Sequence, residues 1–193
     1  MRWTASSGSR KPSPRRARPE PVVDARIEPL AGALPSLAWR WDPETDILSG
    51  AFKGTRAGGG LTGTVELTDE LGSIAVVDVH NGVICGLDIV VWPEVGTVAD
   101  LAAPGQLTDG RVVLSSKGAK GAVTSLELNA SLTVLTNRTE SVFHLRVGPS
   151  RDADLVRVAD RLLIEVDREG ALAGFWLTEV PAFPAEEDRC GER

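Results

Sequence analysis

Moved along itself by 88 residues, the chain repeats a set of turn residues: Gly82 falls on Gly170, Gly86 on Gly174 and Pro93 on Pro181. Between them Ile74 meets Leu162, Val76 meets Ile164, Leu87 meets Phe175 and Ile89 meets Leu177. Each copy reads as an apolar strand, a tight turn, a second apolar strand and a terminating proline, which predicts a β-hairpin. The first turn is Asn81-Gly82, a pair that tolerates the positive φ a two-residue hairpin needs at both central positions. The second is the longer loop Asp167-Arg-Glu-Gly170. Upstream, Asp42-Pro-Glu-Thr-Asp-Ile-Leu aligns with Asn137-Arg-Thr-Glu-Ser-Val-Phe at a shift of 95, and the Gly-rich stretch 53–60 absorbs the difference. Duplication of one β unit is the reading. The competing account is that any β-meander spaces its turn residues in this way.

From Leu37 onward, β-branched runs alternate with Gly, Asp, Asn and Pro. This predicts strands at 37–41, 46–53, 61–67, 73–80, 83–92, 111–115, 122–128, 130–136, 141–147, 153–158, 161–167 and 171–180. Helix is expected only as a short turn near Val98 to Ala103. The fold class expected is mainly β: two tandem antiparallel meander units packed as a sandwich or barrel-like body, with little helix. Its parts are a basic, Pro-rich extended tail (1–35), a first repeat (36–96), a linker with one or two strands (97–128), a second repeat (129–184) and a charged C-terminal tail (185–193).

The segment Trp-Asp-Pro-Glu-Thr-Asp-Ile-Leu at 41–48, followed by Ala-Val-Val-Asp-Val-His-Asn-Gly-Val-Ile-Cys-Gly-Leu-Asp-Ile at 75–89, resembles a family of short bacterial β-rich domains of unknown function. Those domains open on aromatic-Asp-Pro-Glu-x-Asp-x-Leu and close on a Gly-turn hairpin. Residues 162–175 fit the closing half. The opening half of the second copy departs from the pattern, with Asn137-Arg138 in place of Asp-Pro. The resemblance implies a compact β fold and carries no activity.

Charge is unevenly spread. Residues 1–19 hold Arg2, Arg10, Lys11, Arg15, Arg16 and Arg18 and no acid, whereas the whole chain has a net charge of −6. The remainder is therefore at −12, a basic arm on an acidic body. The stretch from Thr4 to Pro21 has almost no apolar residue and is expected to stay disordered on its own. Basic residues among Pro and Ser suit an anionic surface, and Trp3 beside Arg2 adds an aromatic anchor. Arg2, Trp3, Arg10, Lys11, Arg15, Arg16 and Arg18 are thus the candidate partner-binding residues. The partner expected is a protein or multi-subunit assembly, with an anionic membrane surface as a further possibility. Nucleic acid is disfavoured, because the acidic body repels it and no stacking platform is evident.

No run approaches the roughly 18 apolar residues of a membrane span, and no apolar segment follows the N-terminal charges as a secretory signal requires. The location expected is cytoplasmic, or peripheral at the inner face of the membrane. Cys85 lies in an apolar run and reads as a small core residue, while Cys190 lies in the charged tail. Two such cysteines make neither a disulfide framework nor a zinc site.

Catalysis finds little support. His80 precedes the Asn-Gly turn and is expected at an exposed strand end. His144, between Phe143 and Leu145, is expected on the outward face. Gly58-Gly-Gly60 lacks the Lys-Ser/Thr of a phosphate loop. Acids at Asp42, Glu44 and Asp46, and at Asp152 and Asp154, lack the calcium-loop pattern and read as solvated turn residues. No catalytic residue, cofactor or metal is assigned. One strand has a further signature: Ala75, Val77 and Val79 are apolar on one face, and Ile74 and Val76 on the other. A strand apolar on both faces is expected to be covered on both. The functional expectation is a non-catalytic accessory protein docking on a larger assembly through its basic tail. The alternative is a β domain that binds a small ligand or metal between its two repeats.

Overall fold

The structure is a computed structural model that describes residues 23–53, 61–105, 107–116 and 123–184. Within them the chain forms fourteen strands: β1 (Val23–Pro29), β2 (Ala38–Asp42), β3 (Ile47–Ala51), β4 (Thr62–Thr68), β5 (Ile74–His80), β6 (Val83–Val91), β7 (Val95–Thr97), β8 (Thr108–Ser116), β9 (Val123–Asn129), β10 (Leu132–Thr136), β11 (Phe143–Val147), β12 (Ala153–Ala159), β13 (Leu162–Asp167) and β14 (Leu172–Leu177). The fold is all-β, a single curled, barrel-like mixed sheet.

Two sets of five strands pair in the same order. In the first set the order is β2-β3-β6-β5-β4, and in the second it is β10-β11-β14-β13-β12, with every contact inside a set antiparallel. The sets are joined through β8, which pairs parallel with β12 and antiparallel with β6, while parallel partners finish the two ends of the sheet, β9 on β4 and β7 on β10. β1 lies antiparallel on β8 along its whole length. Strands β7, β8 and β9 leave the first set and finish edges of both.

Alternation decides which side is dry. Ala75, Val77 and Val79 of β5, Leu87 and Ile89 of β6, Ile164 of β13 and Phe175 of β14 join one continuous core with Leu48, Val65 and Leu145. Both closing turns form as their residues require. Asn81 and Gly82 have φ of 50° and 86°, and Gly170 has φ of 82°. Two further glycines allow a close approach. A Cβ on Gly86 would lie 2.7 Å from Asp78 Oδ2, and one on Gly174 would lie 2.5 Å from Glu165 Oε2. In each hairpin the acid sits directly over the glycine paired with it across the strands.

Several expectations need correcting. The segment 98–103 is not helical; it holds one turn, with the Leu101 N–H on the Val98 carbonyl, and Pro104 follows at once. Residues 23–29, within the span read as tail, form β1. Ile74 and Val76 are partly buried, less than Ala75, Val77 and Val79, so the outer face of β5 is partly covered. Cys85 is half-buried, its thiol directed at the Asp78 carbonyl at 3.6 Å. His80 is exposed at the end of β5, whereas His144 is 8% exposed.

Candidate functional site

Four aromatic rings gather at one rim of the sheet. Trp41 is the penultimate residue of β2, Trp92 follows β6, Phe143 opens β11 and Phe183 lies beyond β14. They touch in series. Phe183 meets Trp41 edge-on at 5.1 Å and 78°, Trp41 stacks on Trp92 at 5.5 Å and 28°, and Trp92 tilts against Phe143 at 5.3 Å. With Asp46, Val95, Thr136 and Glu140 they line an open cavity of about 310 Å³. Trp41, Asp46, Trp92 and Val95 come from the first half of the chain. Thr136, Glu140, Phe143 and Phe183 come from the second.

The polar atoms of this lining are sorted by sign. The Trp41 indole N–H donates to the Pro181 carbonyl at 2.8 Å, and that of Trp92 donates to the Asp46 carbonyl at 3.0 Å. The Thr136 hydroxyl donates to the Val142 carbonyl at 3.0 Å. Every side-chain donor of the lining is therefore spent on backbone. The carboxylates of Asp46 and Glu140 have no partner among the described residues. Both residues sit at turn tips with left-handed backbone, φ 58° and 52°. The cavity thus offers rings and acceptors, with no Lys, Arg or His of the described residues on its wall. Two apolar side chains of the lining are exposed, Val95 at 40% and Phe183 at 37%.

A second cluster lies on the outer face of the second half. His144 and Trp176 stack with centroids 4.0 Å apart and planes 8° from parallel. The Glu165 carboxylate accepts the Trp176 N–H at 2.7 Å and faces His144 Nε2 at 3.3 Å. Burial alone would raise the Glu165 carboxyl, but the bonds from His144 and Trp176 outweigh it and hold the group below the usual range. No hydroxyl or thiol hydrogen-bonds His144 among the described residues, so the cluster reads as packing. On the first half, burial and then the neighbouring charge of Asp88 push the Asp78 carboxyl up. Burial and then Asp78 do the same to the Cys85 thiol.

Arg2, Trp3, Arg10, Lys11, Arg15, Arg16 and Arg18 lie outside the described residues, as do Gly58–Gly60 and Cys190. Asp42 is a turn-former: its carboxylate accepts the Thr45 hydroxyl at 2.7 Å and the Glu44 N–H at 3.0 Å, and these bonds lower its pKa. Asp152 pairs with Arg168 at 2.6 Å. Among the described residues no group of three His, Cys, Asp or Glu side chains is placed to hold a metal ion. No helix there is long and apolar enough to cross a membrane. The aromatic wall was not foreseen; its only trace in the sequence is an aromatic beside or near the turn residues of both copies. Compared with known proteins, the chain matches no family model and no curated sequence.

Proposed function

We propose that this is a non-catalytic interaction protein, a duplicated β scaffold that presents the aromatic rim as its recognition surface. The single observation carrying the reading is the four-ring wall, built equally from the two halves and left open beside the exposed Val95. Monomeric proteins seldom leave such an apolar patch on their surface without a binding use. The identical pairing order of the two five-strand sets supports the duplication. In the finer form of the proposal the protein is an accessory subunit of a larger assembly, held at the cytoplasmic face of a membrane complex by its basic tail. The test is a pull-down of the full chain from its native source, beside Phe183→Ala and a deletion of residues 1–21. Partners retained by the full chain and lost from either variant support docking. Unchanged recovery with both variants sinks it.

A second reading is favoured by the cavity's position between the halves, which is where a ligand bound by both copies would sit. A cavity of this size is at the small end of ordinary ligand sites.

A further inference from the structure

We infer that the aromatic cavity binds a small organic cation, an alkylated ammonium ion free of any adjoining anion. The inference rests on the second reading above, that the cavity between the halves is a ligand site, and names what fills it.

Three features select this chemistry. The rings of Trp41, Trp92, Phe143 and Phe183 line the cavity, and the face of an aromatic ring carries the negative side of its quadrupole, which attracts a cation and favours tryptophan most. The two indole N–H groups and the Thr136 hydroxyl are already bonded to backbone carbonyls, so an anionic or acceptor-rich ligand finds no donor. The carboxylates of Asp46 and Glu140, unpaired among the described residues, line the cavity from the two halves, and no basic side chain of the described residues lines it. An alkylated ammonium needs no hydrogen bonds and has apolar methyl groups. It therefore loses little on leaving water and meets both the rings and the charges. A choline lipid headgroup has the same cation but holds a phosphate beside it. That phosphate would be pressed against the acids, so a free solute is the fitting source.

The experiment titrates the full chain with choline, with its uncharged carbon isostere dimethylbutanol, and with phosphatidylcholine vesicles. Tryptophan fluorescence and calorimetry are the readouts. Choline is expected to bind about tenfold better than the isostere, the cation being the difference between them. The double variant Asp46→Asn with Glu140→Gln is expected to weaken choline binding at least several-fold. Both side chains are exposed, and Asn accepts left-handed φ well, so this variant keeps its fold. Phe183→Leu, which removes the ring at the open edge, is expected to weaken it as well. Equal affinity for choline and its isostere overturns the inference, as does choline binding that survives the double variant. Binding to vesicles without binding to free choline also overturns it. If no probe binds while partner recovery still depends on Phe183, the cation inference fails and the docking reading stands. If both fail, the rim has no recognition role.

Discussion

Ala25 and Leu114 face each other across the β1–β8 ribbon, and each gives its backbone N–H to the glycine carbonyl at the tip of a closing hairpin. Ala25 bonds Gly170 and Leu114 bonds Gly82, both at 2.6 Å. The two hairpins, separated by 88 residues, are thus plugged into opposite strands of one ribbon at a single register position. β1 is half of that ribbon, and Ala25 belongs to the core. A chain beginning at Val23 is expected to melt as the full chain does, whereas one beginning after Pro29 is expected to unfold or melt far lower. Thermal melts by circular dichroism of both truncations check this. Equal melting temperatures would show that the ribbon is dispensable.

The carboxylate of Glu165 ties together His144 and Trp176. Its pKa is held below the ordinary 4.5 in the fold, so its contribution is complete above that value and is lost as pH falls through the folded value. Glu165→Gln is expected to cost about 1–3 kcal/mol at neutral pH. Its stability should also fall less steeply with acid than that of the parent. Denaturant melts at a series of pH values read both effects.

Asp78 works in the other direction. Its carboxyl is raised by burial and by Asp88, so the fold prefers it protonated and carries a cost once it ionises. That cost is present at neutral pH and vanishes as pH falls below the unfolded value. Asp78→Asn, which keeps the shape above Gly86, is expected to raise the melting temperature at neutral pH and to have little effect in acid. A lower melting temperature at neutral pH would contradict this.

Gly50 lies under the Trp39 ring, where an added Cβ would come within 2.5 Å of Cε3 and Cζ3. The ring is buried and its N–H is anchored to the Thr178 carbonyl at 3.1 Å, so it has no room to yield. Gly50→Ala is expected to destabilise by about 1–3 kcal/mol, the usual range for overpacking. Gly105→Ala, with nothing within 4 Å of its Cβ position, is the matched control. Chemical denaturation of the pair is the measurement.

Most strands were legible because alternation and turn chemistry are local signals, and Asn81-Gly82 placed its hairpin correctly. β1 escaped notice because Asp24, Arg26 and Glu28 break its apolar run, and a strand stabilised on an edge can be that polar. β7 is three residues long with glycine at its centre, too short to show a period. The parallel joins, such as Thr62–Thr68 on Val123–Asn129, link segments about sixty residues apart and leave no mark in either. His144 takes the face that alternation gives it but is buried there, because alternation does not tell that Trp176 and Glu165 lie on that face to cover it. The aromatic cavity was hidden for a related reason. Trp41, Trp92, Phe143 and Phe183 each look like an ordinary core residue, and only the return of the chain to one rim makes them a surface.

Trp39 and Trp41 are synthesised 139 and 140 residues before the carbonyls that receive their indole N–H groups, those of Thr178 and Pro181. On the ribosome the first half therefore emerges with its edge strand unfinished, and it waits for nearly the last described residues of the chain. A product that stops short of Thr178 leaves both indoles without these partners and the aromatic rim without Phe183. The rim is thus assembled only once residues 178–183 are in place, and a molecule cut before them lacks the surface they build.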